Sequence, residues 1–439
     1  MNNLRTLLWA YLWLLMFEGA LRKWGPPVLD APLLIVRDPL VMWIYFQAYR
    51  NRLSFNNAFF LPNLFLAIAT GILAEIFGKA NIAITLYGLR TDYLQIPLIF
   101  LMPQILNRDD VIAMGRFMLY AIIPIAALVL VQFRSPQDSW INVGALKTWY
   151  GTVRPSGTFS FISGIVYYFA LISAFLFYGF LHARTYKNWL LAAVTVSLLL
   201  ASFCSGSRSC IVSIGIVVVA AVLCVVTRGK GGKGLIVAAL LIAFLLPVLS
   251  CFSIFQNGAE QLTQRLEDGA AGGEDTAGFT ARYFNTMLRP LVAMGEAPLF
   301  GNGLGLGTNA AAGMLFGNRE FIGPEDEWGR LFFECGPIFG LLLCLFRIAL
   351  TLAIAKSAYD AFKDGNILPV LLFAACGVLV LNGQWGVPTT LGFAVFGAGL
   401  TLAACVEPHD EDDEEHDHEE HDEHAGDEED HSTATDAVT

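Results

Sequence analysis

The sequence predicts an all-α integral membrane protein with about 12 transmembrane helices, one long loop and a charged tail. The 439 residues are 55% hydrophobic and only 15% charged, with a mean hydropathy of +0.57. A soluble domain carries about 25% charged residues. The apolar residues also lie in long runs, and a bilayer-spanning helix needs about 20 such residues. These observations exclude an ordinary soluble enzyme.

Twelve apolar runs are candidate spans, and an even number places both termini on one side of the membrane. Residues 6–21 are read as a first membrane helix and not as a removed signal peptide, because Glu18 interrupts the run. The run at 31–48 is weakened by Arg37 and Asp38. The predicted spans are 6–21, 31–48, 58–78, 91–107, 111–133, 159–182, 187–204, 209–227, 234–254, 331–355, 367–384 and 388–405.

The distribution of Lys and Arg favours an N-terminus inside the cell, because these residues concentrate in short cytoplasmic loops. The run RGKGGK at 228–233 is the clearest such loop. With this orientation, Arg116 and Arg347 lie near cytoplasmic ends of their spans and are expected to extend to the membrane surface. Among the charges near the N-terminus, Glu18 and Arg22 are four residues apart and are expected to pair inside the bundle.

The sequence divides into a membrane domain, 1–405, and a tail, 406–439. Within the membrane domain, residues 255–330 form a long outer loop, and such loops are usually functional. Residues 280–295 within it have the pattern of a short helix.

The tail accounts for the acidity of the protein. Residues 406–439 hold 17 of the 38 Asp and Glu and no Lys or Arg, which leaves 21 acidic and 27 basic residues in the membrane domain. This composition predicts a disordered cytoplasmic tail. Its histidines offer weak metal binding, with a plain solvated tail as the alternative; the closest set is His416, His418, His421 and His424.

Four arginines in outer segments suggest a polyphosphate site. Arg154 precedes a span, and Arg208 lies between two spans. Arg282, Asn285 and Arg289 are spaced so that all three share one face of a helix. The guanidinium group stays charged and binds phosphate oxygens in pairs. The alternative is contact with lipid headgroups or with acidic residues of the loop.

An acidic motif, PEDEWGRLFFECGPIFG at 324–340, precedes and enters a predicted span. Glu325, Asp326 and Glu327 come just before the span, and Glu334 lies within it. A carboxylate at a membrane edge is a candidate general base, whereas a solvated helix N-terminus is the alternative. The nearby run GNGLGLG at 301–307 lacks the spacing of a nucleotide loop, and is predicted to be a flexible turn that approaches a substrate or re-enters the bundle.

Several of these motifs together resemble the O-antigen ligase and O-antigen polymerase superfamily. Two N-terminal segments, EGALRKWGPP and GLRTDYLQIPLIF, resemble exopolysaccharide-associated members of it. In the ligases a His-Asn pair is followed by nine residues and then a glycine, and here Glu325 and Asp326 occupy the place of that pair, with residues 327–335 before Gly336. This departure favours a polymerase or another exopolysaccharide branch over a ligase. The other shared motifs are RPSGTF (154–159), SGSR (205–208), R-x6-R (282–289), PLFGNGLG (298–305) and E-x-G-P-x-x-G (334–340).

The resemblance implies a GT-C-type glycosyltransferase of the bacterial inner membrane, with its active site facing the periplasm. Its substrate would be a glycan on undecaprenyl diphosphate, and its partners would be membrane lipid and chain-length or export proteins, with no nucleic acid. No cofactor is implied. In this hypothesis Glu325 is the base, with Glu327 in reserve.

The remaining candidates support this chemistry, and a second function stays open. The alternative is a lipid-linked glycan flippase or a secondary transporter. The hypothesis assigns the lipid diphosphate to Arg154, Arg208, Arg282 and Arg289, and supporting roles to Asn285, Asp326 and Glu334.

Overall fold

The computed structural model describes residues 2–147, 153–271, 298–317 and 322–407. The chain forms two units, Met1–Val406 and Glu407–Thr439. Almost all described residues belong to the first unit, which is helical apart from a pair of two-residue strands, β1 (Leu146–Lys147) and β2 (Val153–Arg154). The helices are α1 (Asn2–Trp24), α2 (Asp30–Leu34), α3 (Arg37–Arg50), α4 (Phe60–Phe77), α5 (Ile82–Leu89), α6 (Ile96–Ile105), α7 (Arg108–Arg134), α8 (Ile162–Leu181), α9 (Asn188–Cys204), α10 (Arg208–Arg228), α11 (Gly232–Ser250), α12 (Ser253–Ala271), α13 (Asn309–Phe316), α14 (Glu327–Lys363), α15 (Leu368–Asn382) and α16 (Pro388–Ala403).

Seven described helices are long and apolar enough to cross a membrane, namely α1, α4, α7, α8, α10, α11 and α14. Three shorter helices, α9, α15 and α16, are also apolar. A helix satisfies its own backbone hydrogen bonds, which is the requirement for crossing lipid. The prediction of an all-α, multi-pass membrane protein is therefore confirmed, while the count of twelve spans stays a prediction.

Two predicted spans are broken in the structure. The run at 31–48 divides into α2 and α3 at Ile35 and Val36. The run at 91–107 begins with a π-helical turn, Arg90–Leu94, between α5 and α6. Pro97 in the first turn of α6 follows this turn, where its missing N–H costs nothing. π turns are rare and occur often at functional sites.

The helices differ sharply in how much of their surface the bundle covers. In helix α8, 83% of the most apolar stretch of 18 residues is buried, and the helix packs against α10, α15 and α16. In contrast, α10 and α11 are buried along only 22% and 17%. A helix that is apolar all round belongs either in a core or against lipid. Helix α8 is thus the central helix, and α10 and α11 present apolar surface at the edge.

The connecting segments sort to two ends of the bundle. At the first, the Arg5 end, Arg5 lies 3.4 Å from Asp110, and the amide of Arg108 donates to the carbonyl of Val406. At the second, the Trp24 end, the Trp24 indole donates to the carbonyl of Trp140. Loops after α8, α10 and α14 belong to the Arg5 end. The RPSGTF turn and the glycine run belong to the Trp24 end.

Helix α14 is two helical segments joined by a reversal at Gly336. This glycine has φ 73° and ψ 178°, a conformation open essentially to glycine alone. Glu327 and Arg347 would lie about 30 Å apart on a straight helix, yet their side chains meet at 2.6 Å. Residues 327–335 therefore fold back along residues 337–363. The prediction of one continuous span at 331–355 is wrong, because the chain reverses inside it at Gly336. Glu334 lies before this reversal.

Candidate functional site

The folded-back segment of α14 begins at a capped N-terminus. The Asp326 carboxylate accepts a hydrogen bond from the amide of Gly329 at 2.7 Å. A carboxylate in this position satisfies an open N–H group and favours the positive end of the helix dipole. Glu325 precedes the cap and is exposed. Its backbone carbonyl accepts from the side chain of Gln384, in the loop between α15 and α16. Asp326 is thus a structural support for the segment.

Arg330 is the centre of a buried charge cluster. All five of its N–H donors are used: two contact Asp92 at 2.6 and 3.2 Å, two contact Glu327 at 2.9 Å each, and one contacts Glu334 at 3.0 Å. The Arg330 residue is only 3% exposed. A guanidinium that is fully paired and buried is fixed in position and orientation.

Arg347 joins the cluster from the second segment of α14. It binds Glu327 at 2.6 Å and the carbonyls of Val380 and Gly383 at 3.0 and 2.9 Å. Its guanidinium also lies 3.9 Å from the centre of the Trp385 ring. The expectation that Arg347 extends to the membrane surface is wrong, because Glu327 and the open carbonyls at the end of α15 hold it inside.

Glu334 ties the glycine run to the cluster. Its carboxylate accepts from the amides of Gly305 at 2.7 Å and Gly307 at 2.9 Å, besides Arg330. A side chain at Gly305 would collide with the carbonyl of Ile84 on α5, and its φ is 85°. The glycine run is buried between α5 and α14. The glycine run therefore re-enters the bundle, which is one of the two alternatives that the sequence predicts.

The α14 cluster, defined as Asp92, Glu327, Arg330, Glu334 and Arg347, holds three carboxylates and two guanidinium groups. With every group ionised its formal charge is −1. Charges buried in a membrane domain are costly and usually mark function or internal pairing. The ion pairs offset the cost of burying these charges. Two carboxylates would be enough to neutralise the two guanidinium groups, so the third is not required for charge balance.

A small cavity connects this cluster to Glu325. Its volume is about 10 Å³, which is close to the minimum for one water molecule. The exposed Glu325 thus shares a cavity with fully buried Glu327 and Arg330. The lining residues are Gly307, Thr308, Glu325, Glu327, Arg330, Gln384, Gly386 and Val387.

Arg154 and Arg208 both lie at the Trp24 end, but on different structural elements. Arg154 closes β2, and the RPSGTF turn after it is held by Thr158, which donates to the Met16 carbonyl at 2.8 Å, and by Gly157, whose amide donates to Gln132 at 2.9 Å. Arg208 opens α10 behind the buried SGS turn, which packs against α12. The structure pairs Glu327 and Glu334 with Arg330, and Glu325 lines the same small cavity as Glu327 and Arg330. Arg154 and Arg208 lie at the same end of the bundle.

Several predicted residues lie outside the described part of the chain. These include the helix predicted at 280–295 and the histidines of the tail. The individual residues are Arg282, Asn285, Arg289, His416, His418, His421 and His424.

No protein-family model matches this chain. No curated protein matches its sequence either. The function is therefore inferred from the chemistry of the site.

Three members of the α14 cluster were not assigned by the sequence interpretation: Asp92, Arg330 and Arg347. The segment GLRTDYLQIPLIF contains Asp92, and the acidic motif contains Arg330, so both lay inside motifs already singled out. Spacing along the sequence could not show that Arg330 and Asp92 are partners, because 238 residues separate them. Only the packing of the π turn against α14 brings the two together.

Proposed function

We propose that this protein is a membrane glycosyltransferase that polymerises or transfers lipid-diphosphate-linked oligosaccharides for a surface polysaccharide. The observation that carries the proposal is the placement of Glu325. This carboxylate is exposed, and it precedes a helix start that Asp326 caps and that the α14 cluster holds rigid. A general base must be reachable by substrate and fixed in position. Among the candidate carboxylates Glu325, Asp326, Glu327 and Glu334, only Glu325 is exposed, and it shares a cavity with Glu327 and Arg330 of that cluster.

In the proposed reaction the acceptor hydroxyl attacks the anomeric carbon of the donor sugar. The new bond joins the acceptor oxygen to that carbon, and the bond from the carbon to the diphosphate oxygen breaks. The acceptor proton goes to the Glu325 carboxylate, and the electron pair leaves with the lipid diphosphate. The proton returns to solvent after product release. Glu327, the second candidate base from the sequence, is paired with Arg330 and Arg347. In this proposal it holds the helix start in place and does not take the proton.

The leaving group carries the developing negative charge. Arg154 and Arg208, both at the Trp24 end with Glu325, are assigned to the diphosphate, and Arg282 and Arg289 keep the same assignment from the sequence. Preorganised guanidinium groups stabilise a departing diphosphate without rearrangement during the reaction. In this proposal the Trp24 end faces the periplasm, and the membrane is the bacterial inner membrane.

The decisive experiment uses the full-length protein in nanodiscs with an undecaprenyl-diphosphate oligosaccharide. The wild type should produce a ladder of longer glycans on gel or mass spectrometry. Glu325→Gln should lower the rate by at least about 100-fold. Glu260→Gln, which neutralises another exposed carboxylate in α12, is the matched control and should keep the wild-type rate. A wild type without product, or an active Glu325→Gln variant, would contradict the proposal.

One observation favours the second candidate, a flippase or secondary transporter. The break at Arg90–Leu94 places charged residues between two short helices, and broken helices with charged residues form substrate sites in transporters. Sealed vesicles separate the two functions. A transporter moves the lipid-linked glycan across the membrane without changing its length, whereas the glycosyltransferase lengthens it without needing a closed compartment.

A further inference from the structure

A cavity at the Arg5 end lies away from the proposed catalytic site. It has a volume of about 840 Å³ and opens to the surface between α7, α9 and the loop that joins α8 to α9. The Tyr186 hydroxyl donates to the Ile112 carbonyl at 3.2 Å, which fixes the loop against α7. The lining residues are Arg116, Tyr120, Ala183, Arg184, Thr185, Tyr186, Lys187, Asn188, Trp189 and Leu190.

Three basic side chains line this cavity without an acidic partner among the described residues. Arg116, Arg184 and Lys187 are exposed, and no carboxylate among the described residues forms an ion pair with any of them. Helix α9 begins beside Lys187 without a side-chain cap, so its open N–H groups add to the positive potential. The cavity therefore presents uncompensated positive charge, which an anion would neutralise.

The rest of the lining indicates that this anion belongs to a lipid. Tyr120 and Trp189 are 40% and 56% exposed, and their rings lie 5.9 Å apart on neighbouring helices. Exposed Trp and Tyr are typical of the membrane–water interface, and Trp189 lies in the first turn of α9. Basic cavities between transmembrane helices at that depth bind anionic headgroups. The two rings are placed to contact glycerol and acyl carbons below a phosphate.

The backbone at Arg184 supports a role for its side chain. Its φ is 75°, a region that non-glycine residues occupy rarely and at a cost. Glycine would adopt this turn without strain. Arginine is therefore a conformationally costly residue at this turn. Its presence is consistent with a role for the guanidinium group in binding.

We propose that this cavity is a binding site for an anionic phospholipid of the adjoining leaflet, with the phosphate held by Arg116, Arg184 and Lys187 and the glycerol region against Tyr120 and Trp189. The shared chemistry of any ligand here is a phosphate ester. The lipid source is favoured over a soluble one because the aromatic pair would otherwise face water. The site is independent of the proposed glycosyl transfer.

Native mass spectrometry of the full-length protein, delipidated in detergent, tests the site. Phosphatidylglycerol and cardiolipin should stay bound at concentrations where phosphatidylethanolamine dissociates. The triple variant Arg116→Gln, Arg184→Gln, Lys187→Gln should bind phosphatidylglycerol at least about tenfold more weakly. The control variant removes three exposed charges elsewhere and should bind within about twofold of wild type; its changes are Lys230→Gln, Lys233→Gln and Lys356→Gln.

Two further measurements keep the test informative. Arg116→Lys with Arg184→Lys retains the charge and should lose less than about threefold in affinity. The single variant Lys187→Gln should weaken binding about threefold, even if the triple variant is not monodisperse. Equal binding by wild type and Lys187→Gln would overturn the proposal. Displacement of bound lipid by equimolar glycerol phosphate would also overturn it, because the ligand would then be a soluble phosphate ester.

Discussion

Two clusters of paired charges in this protein differ in the balance between their acidic and basic groups. The α1 cluster joins α1, α2, α3 and the π turn through four ion pairs, among them Arg37 with Glu18 at 2.9 Å and Arg22 with Asp30 at 2.8 Å. Its three carboxylates match three guanidinium groups. The α14 cluster has three carboxylates for two. The members of the α1 cluster are Glu18, Arg22, Asp30, Arg37, Asp38 and Arg90.

Under the proposed function, this difference separates a structural support from the surroundings of a catalytic site. A balanced cluster joins helices and needs no further partner, and the sequence predicted such neutralisation for Glu18 and Arg22. They lie 4.0 Å apart, although Arg37 is the closer partner of Glu18. With every group ionised, the α14 cluster carries a surplus negative charge, which costs more to bury than a balanced set. The π turn links the two, since Arg90 contacts Asp38 and Asp92 contacts Arg330.

The largest expected effect is that of Arg330→Ala. It would leave three buried carboxylates with Arg347 as their remaining cation, and removing one partner of a buried pair costs roughly 3–5 kcal/mol. Arg37→Ala should cost less, about 3 kcal/mol, because Arg22 remains beside Glu18. Thermal unfolding in detergent measures both. An Arg330→Ala protein that is as stable as Arg37→Ala would show that the two clusters are equivalent.

Gly336→Ala breaks only the α14 cluster, because that cluster alone depends on a chain reversal. A side chain would collide with the Leu299 carbonyl, and the backbone conformation suits glycine alone. We expect a loss of about 2–4 kcal/mol in unfolding free energy. Gly215→Ala in α10 is the control, since a methyl group there meets nothing within 4 Å; it should be neutral or stabilise by up to about 1 kcal/mol. Similar melting temperatures for the two variants would contradict the reversal.

The sequence predicted the fold better than the site, for a physical reason. Apolar runs report local burial, so the all-α, multi-pass character followed from hydropathy. The reversal at Gly336 is also local, and ECGP contains its glycine and proline, but a continuous apolar run concealed it. Partners such as Asp92 and Arg330 are set by packing between distant segments, which spacing along the chain does not encode. Arg347 was misplaced for the same reason.

Asp92→Asn and Asp38→Asn test the charge balance directly. The first leaves the α14 cluster with two carboxylates and two guanidinium groups, so the lost hydrogen bond is partly offset, and we expect a cost of about 1–2 kcal/mol. The second leaves the α1 cluster with an uncompensated positive charge, and should cost about 3 kcal/mol. Melting temperatures of the two variants provide the measurement. The reverse order would show that surplus charge does not distinguish the clusters.

The smallest effect on stability is expected at Glu325, and it best separates function from support. Its side chain is exposed, and its contact with Gln384 uses the backbone carbonyl, which Glu325→Gln retains. The free energy of unfolding should therefore change by less than about 0.5 kcal/mol. Glycan extension should nevertheless be lost. Glu18→Gln should show the converse, with lower stability but residual activity in the folded fraction. If Glu325→Gln lowers stability and activity together, as a supporting residue would, Glu325 belongs to the framework and the base must be sought elsewhere.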